Sequence, residues 1–210
     1  MLRDIIDKLE LKDFEPLFNS YKDYLAPTKF KNPSAIFESG TDSINAFVVR
    51  DNKVYTTNDM VRNNDYLIVT QNAGGGSGSI YIFSATADPK ARINKIANTL
   101  PCQWMGNIRG HHWLNSRPAI CQDNDDVWVR RYTGKGADDF YEEKGHFTIH
   151  IHDSGGLFNT SLGCTIMANE DSYQKMLKPL LNEVKQFQDK VPVSFFNSDV
   201  FTYLVEKILA

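Results

Sequence analysis

Gly145-His146-Phe147-Thr148-Ile149-His150-Ile151-His152-Asp153-Ser154-Gly155-Gly156, followed after two apolar residues by Asn159-Thr160-Ser161-Leu162-Gly163-Cys164-Thr165-Ile166, is the stretch from which the rest of this chain is best approached. Phe147–His152 has the β-branched and aromatic make-up of a strand. Side chains two apart on a strand share a face, so the spacing predicts His146, His150 and His152 pointing one way. A glycine-bearing loop comes next, then a Ser-x-Gly-Cys turn leading into an apolar pair.

Three chemistries fit these residue types. In the first, Cys164 is a nucleophile and His152 its base. A free thiol is only about 3% thiolate at pH 7, and a neighbouring imidazole that takes the proton both activates and positions the sulfur. Gly163 permits close backbone approach, and the N–H groups around Gly163 and Cys164 are placed to hold a developing oxyanion. In the second, His150 and His152 are two ligands of a zinc ion, with Cys164 or Asp153 as a third; neither His-x-His-x-Asp-His nor His-Glu-x-x-His is present to support it. In the third, the histidines are polar residues on a half-exposed strand and Cys164 is a small buried residue.

Working outward, short β-like runs at Ile44–Val49, Tyr66–Thr70, Ile80–Ser84 and Val127–Tyr132 are separated by turn-formers. They do not alternate regularly with helices, which argues against a doubly wound parallel sheet. Apolar residues at Leu2, Ile5, Ile6 and Leu9, then Phe14, Leu17, Phe18 and Tyr21, have helical spacing. Asp13 and Pro16 mark the start of a second helix. Residues 26–43 read as a linker. Gly74–Gly78 lacks the Lys-Ser/Thr of a phosphate-binding loop and reads as a flexible hairpin or lid. After Cys164 the pattern is helical from Tyr173 to Phe187, with Pro179 expected to kink or split it. Val191–Phe196 is a strand candidate, and 199–209 fits strand or helix equally.

The chain has 210 residues, 41% of them hydrophobic and 23% charged, which suits a soluble, core-forming domain and excludes wholesale disorder. A net charge of −3 argues against a nucleic-acid partner. No apolar run reaches the roughly 18 residues of a membrane span. Cys102 and Cys121 read as buried thiols, the alternative being a disulfide between them that leaves Cys164 odd. Asp4 and Asp7 interrupt the N-terminus too early for a secretory leader, so the expectation is synthesis in the cytoplasm.

Ile149-His150-Ile151-His152, the glycine-containing loop and Ser161-Leu162-Gly163-Cys164 together resemble the catalytic signature of the L,D-transpeptidases (YkuD-like domains), in a divergent Ser-Leu-Gly-Cys branch. Ala85-Thr86-Ala87-Asp88-Pro89, Trp104-Met105-Gly106 and the Val127–Arg131 strand stand in the order that branch shows, so the resemblance spans roughly residues 80 to 170. It implies a mostly β domain with peripheral helices (β+α), a curved mixed sheet or sandwich over residues 41–210, with residues 1–40 as an N-terminal helical appendage and linker. It implies Cys164 as the acyl-accepting nucleophile, His152 as its base and Asp153 as the residue whose backbone carbonyl orients the imidazole. Ser161 and Gly163 would shape the turn and the oxyanion hole, and His150, Trp104, Asn159 and Thr165 would meet substrate. No cofactor or metal is implied.

The chain departs from the main branch in having Leu162 between Ser and Gly, and Ile166 where an arginine usually follows the cysteine by two. Arg109, Arg130 and Arg131 are candidates for the missing substrate contact, against the alternative of solvated surface charges. The expected partner is a peptidoglycan stem peptide. With no leader visible, the expected route to the periplasm or cell wall is delivery or lysis, as for a phage protein or an injected effector, with a delivery or immunity protein as a further partner. The rival expectation is a catalytically inactive peptidoglycan-binding or phage structural module.

Overall fold

A computed structural model describes residues 2–51, 65–87, 97–111, 117–122, 125–133, 139–153 and 164–210. Two helices come first, α1 (Leu2–Ile6) and α2 (Phe14–Leu25). The strands β1 (Ile44–Arg50), β2 (Asp65–Gly74), β3 (Ser77–Thr86), β4 (Ala97–Thr99), β5 (Cys102–His111) and β6 (Arg117–Gln122) follow. Next are β7 (Val127–Tyr132), β8 (Phe140–Gly145), β9 (His150–His152) and β10 (Thr165–Met167). The chain then forms α3 (Glu170–Ser172), a π-turn (Tyr173–Leu177), α4 (Lys178–Val184), β11 (Lys190–Asn197) and α5 (Ser198–Leu209).

Eight strands close into a barrel in the order β1-β11-β5-β6-β9-β10-β3-β2, while β4, β7 and β8 form a separate small sheet. The molecule is thus mostly β with peripheral helices. The barrel is mixed, because β1 runs parallel to β11 and β9 runs parallel to β10.

One face of all eight strands gathers in a single apolar cluster, which is the barrel interior. Ala46, Val48, Leu67, Phe83, Trp104, Ile120, Ile151, Met167 and Val193 meet there, joined by Tyr173, Leu177, Leu181 and Val184 from the helical segment after β10. On the outer face of β1, β2 and β11, Phe47, Val49, Ile68 and Phe196 are covered by Phe14, Leu17, Phe18 and Tyr21 of α2 and by Phe201 and Leu204 of α5. Apolar cover on both sides explains why all seven residues of β1 are buried and why its sequence shows little polar alternation.

The N-terminal helical expectation is met, with one change in detail. Asp13 stands at the start of α2, yet its carboxylate accepts from the N–H of Glu10 at 2.8 Å and so locks the preceding 3-10 turn. The glycine-rich stretch is a tight turn joining β2 to β3. Gly74, Gly75 and Gly76 have φ of 84°, 61° and 79°, a run of left-handed backbone that side chains resist. The helical run after Cys164 is divided as Pro179 predicts: the π-turn precedes it, and the proline sits in the first turn of α4 where no N–H is required. Residues 199–209 are helical. Cys102, Cys121 and Cys164 are all free thiols, the first two buried.

The expected strand Phe147–His152 is shorter than its sequence implies. Only His150–His152 joins the barrel, because Thr148 has φ of 55° and turns the chain out of the extended conformation. The shared face of three histidines is therefore corrected to two. His146 lies outside the strand, its Nε2 3.3 Å from the carbonyl oxygen of Gln122.

Candidate active site

His152 closes β9 and Cys164 stands just before β10, so the parallel ladder between those strands sets their relation. It pairs Thr165 with Ile151 and Ile166 with His152. Carried back one residue, the same register sets Cys164 beside His150. Paired residues share a face, and Ile151 and Met167 point inward, so Cys164, His150, His152 and Ile166 belong to the outer face of the barrel. Cys121 of β6 lies opposite His150 on its other side. Cys164 and His152 are thus diagonal neighbours, about 8 Å apart at Cα by strand geometry, a separation that an imidazole can span.

The imidazole is oriented by the backbone that follows it. Nδ1 of His152 hydrogen-bonds the carbonyl oxygen of Asp153. A carbonyl only accepts, so Nδ1 carries the hydrogen and Nε2 keeps its lone pair. His152 is 8% exposed, and burial holds its pKa below the ordinary histidine value, against a smaller upward pull from that hydrogen bond. At neutral pH it is a neutral base.

Cys164 is partly open to solvent while its sulfur is closely packed. Its thiol donates to the carbonyl oxygen of Thr148 at 3.8 Å. Desolvation pushes its pKa up to about 11, the backbone of His150 pulls the other way, and nearby Cys121 adds to the rise. With the thiol pushed up and the imidazole pushed down, moving the proton from Cys164 to His152 is uphill in the resting site. The resting pair is therefore thiol and neutral imidazole.

Thr148 bears on the same sulfur. Its left-handed φ is costly for a β-branched residue, of order 1–2 kcal/mol. That conformation aims its carbonyl at the thiol, and its own hydroxyl donates to the carbonyl of Phe147 at 2.6 Å. Behind His152, the carboxylate of Asp153 is wholly buried and paired with Arg117, which also donates to Glu170 at 2.8 Å. Sequence reasoning did not find Thr148, Arg117 or Glu170. Their significance lies in backbone conformation and long-range pairing, neither of which leaves a local pattern.

The other expected residues separate into three groups. His150 is buried on the same face as His152. Trp104 and Thr165 are 1% and 2% exposed and belong to the inward face, so both are corrected from substrate contacts to interior packing. Ser161, Gly163 and Asn159 lie outside the described residues. Of the arginines considered for a substrate carboxylate, Arg130 and Arg131 pair with Glu142 and Glu143 across β7 and β8, and Arg109 donates to the carbonyl of Gln122 at 3.1 Å. Among the described residues, no group of three or more His, Cys, Asp or Glu side chains is spaced to hold a metal ion. No helix of the described residues is long and apolar enough to cross a membrane.

No family model, no curated protein and no solved structure matches the chain.

Proposed function

We propose that this protein is a cysteine-dependent acyltransferase or peptidase of the L,D-transpeptidase type, acting on peptidoglycan stem peptides. The observation that carries the reading is the hydrogen bond from His152 Nδ1 to the backbone carbonyl of Asp153. It leaves Nε2 as a neutral base on the face of the barrel shared with a solvent-reachable Cys164, which is the arrangement the sequence resemblance implies.

In this reading the Cys164 sulfur attacks the carbonyl carbon of an amide between an L- and a D-configured centre while His152 takes the thiol proton. Collapse of the tetrahedral intermediate breaks the C–N bond, and His152 returns the proton to the departing amine. The thioester is then resolved by an amine of a second stem, giving a cross-link or exchange, or by water, giving carboxypeptidase activity. Which acceptor prevails depends on how well the bound site excludes water. In this reading the site of action is the periplasm or cell wall, where the stem peptides are.

The reading is tested by incubating the protein with a carbapenem or a stem tetrapeptide and mapping the adduct by mass spectrometry. A covalent mass increase on Cys164, absent in Cys164→Ala, and altered masses in a treated muropeptide digest are expected. A second reading, an inactive peptidoglycan-binding module, draws on the dormant, protonated state of the thiol; binding to sacculi with no adduct and no muropeptide change favours it and ends the first.

A further inference from the structure

Arg117 begins β6, beside the end of β9, because those two strands run antiparallel with Ile120 opposite Ile151. Its Nη1 donates to Oδ2 of Asp153 and, at 2.8 Å, to Oε1 of Glu170 at the start of α3. Asp153 is 0% exposed, and its other oxygen, Oδ1, has no hydrogen-bond partner among the described residues. A carboxylate in that position is costly unless a cation meets it, and among the described residues Arg117 is the cation that does. Glu170 is itself held by Gln174, whose Nε2 donates to Oε1 at 2.7 Å. The next residue along β6, Pro118, accepts the Tyr173 hydroxyl at 2.8 Å. The start of β6, the end of β9 and the helical segment after β10 are tied at one point.

Asp153 therefore has two attachments that face different ways. Its side chain is fixed by Arg117, and its main-chain carbonyl takes the Nδ1 hydrogen of His152. We propose that Arg117 is a positioning residue for the base: by anchoring the Asp153 carboxylate it fixes the adjoining carbonyl, which holds His152 in the tautomer that leaves Nε2 unprotonated. The catalytic consequence rests on the reading of Cys164 and His152 given above, whereas the effect on the ring does not. Without the guanidinium the buried carboxylate must reach for water, its peptide group swings with it, and the imidazole loses the acceptor that fixes its tautomer.

The test is a long-range proton–nitrogen correlation spectrum of histidine side chains in the full chain labelled with nitrogen-15 histidine, with His152 assigned by His152→Gln. The native protein is expected to show His152 protonated at Nδ1 and bare at Nε2. Arg117→Met is expected to give a mixture of tautomers, and a fall of about tenfold or more in the rate at which a carbapenem acylates Cys164 at pH 7. Arg117→Lys, which keeps the charge, is expected to recover part of both. Should Arg117→Met fail to fold, Arg117→Gln takes its place. A folded variant of either kind with the native tautomer of His152 overturns the proposal. If the native enzyme forms no adduct at all, the transpeptidase reading fails, and the tautomer measurement still decides the role of Arg117.

Discussion

At the scale of single residues, the opposed environments of Cys164 and His152 determine how the site must respond to pH. Burial raises the thiol to about 11 and lowers the imidazole below its ordinary value. In the proposed reaction the reactive form is thiol with neutral imidazole, which is present above the His152 pKa and lost as pH falls through it. The rate of Cys164 acylation by a carbapenem should show an acid limb with its midpoint below 6.5 and stay level between pH 7 and 9. Were a preformed thiolate the reactant instead, the rate would climb about tenfold per pH unit across that interval; a stopped-flow profile separates the two. That Cys164 and His152 come near one another was legible in Ile-His-Ile-His and Ser-Leu-Gly-Cys because the two segments lie close in sequence and form neighbouring strands. Thr148 was not, since nothing in Phe147-Thr148-Ile149 signals a positive φ. Trp104 was misassigned because an aromatic in a strand reads the same on either face until the register is known.

At the scale of elements, legibility followed how completely each segment is covered. β1, β2, β3, β7 and β11 carry continuous or alternating apolar residues, and their sequences predict strands close to those observed. β5 and β6 were missed. Gly106 and Gly110 dilute β5, although Gly106 is needed where it is: a Cβ there would come within 2.6 Å of Ile120 and 2.8 Å of Trp104. β8, with sequence Phe-Tyr-Glu-Glu-Lys-Gly, is an edge strand held partly by Arg130–Glu142 and Arg131–Glu143, so it shows no apolar alternation. The helix that covers the barrel is amenable to a direct measurement. Phe14 is 0% exposed, with its ring centroid 5.0 Å from that of Phe47. Phe14→Ala should cost about 3–5 kcal/mol in urea unfolding with little change in the rate of acylation of Cys164, because the cavity opens on the side of β1 and not beside β9. A loss below 1 kcal/mol would mean that α2 is not part of the cooperative unit.

At the scale of the whole molecule, closure depends on strands far apart in sequence. β1 lies between β2 and β11, pairing Ala46 with Val193, and β11 in turn pairs with β5. Topologies dominated by such distant pairings fold slowly, because the loop entropy must be met before the contacts repay it. Refolding from urea is expected on the millisecond-to-second scale, and the tryptophan and circular-dichroism traces should coincide. Microsecond refolding, or a helical phase that completes well ahead of the β signal, would show that the helices and the barrel do not fold as one.

The contact between α2 and β11 carries a consequence for the chain as it leaves the ribosome. Tyr21 gives its hydroxyl to the carbonyl of Phe195 at 2.6 Å and stacks on Phe196 with centroids 3.9 Å apart, partners translated 174 or more residues later. Until that late segment emerges, Tyr21 lacks the partners it meets on β11, and the aromatic face of α2 has only Phe47, Val49 and Ile68 of β1 and β2 to rest on. The outer layer over β1 and β11 is therefore completed only once β11 has been made.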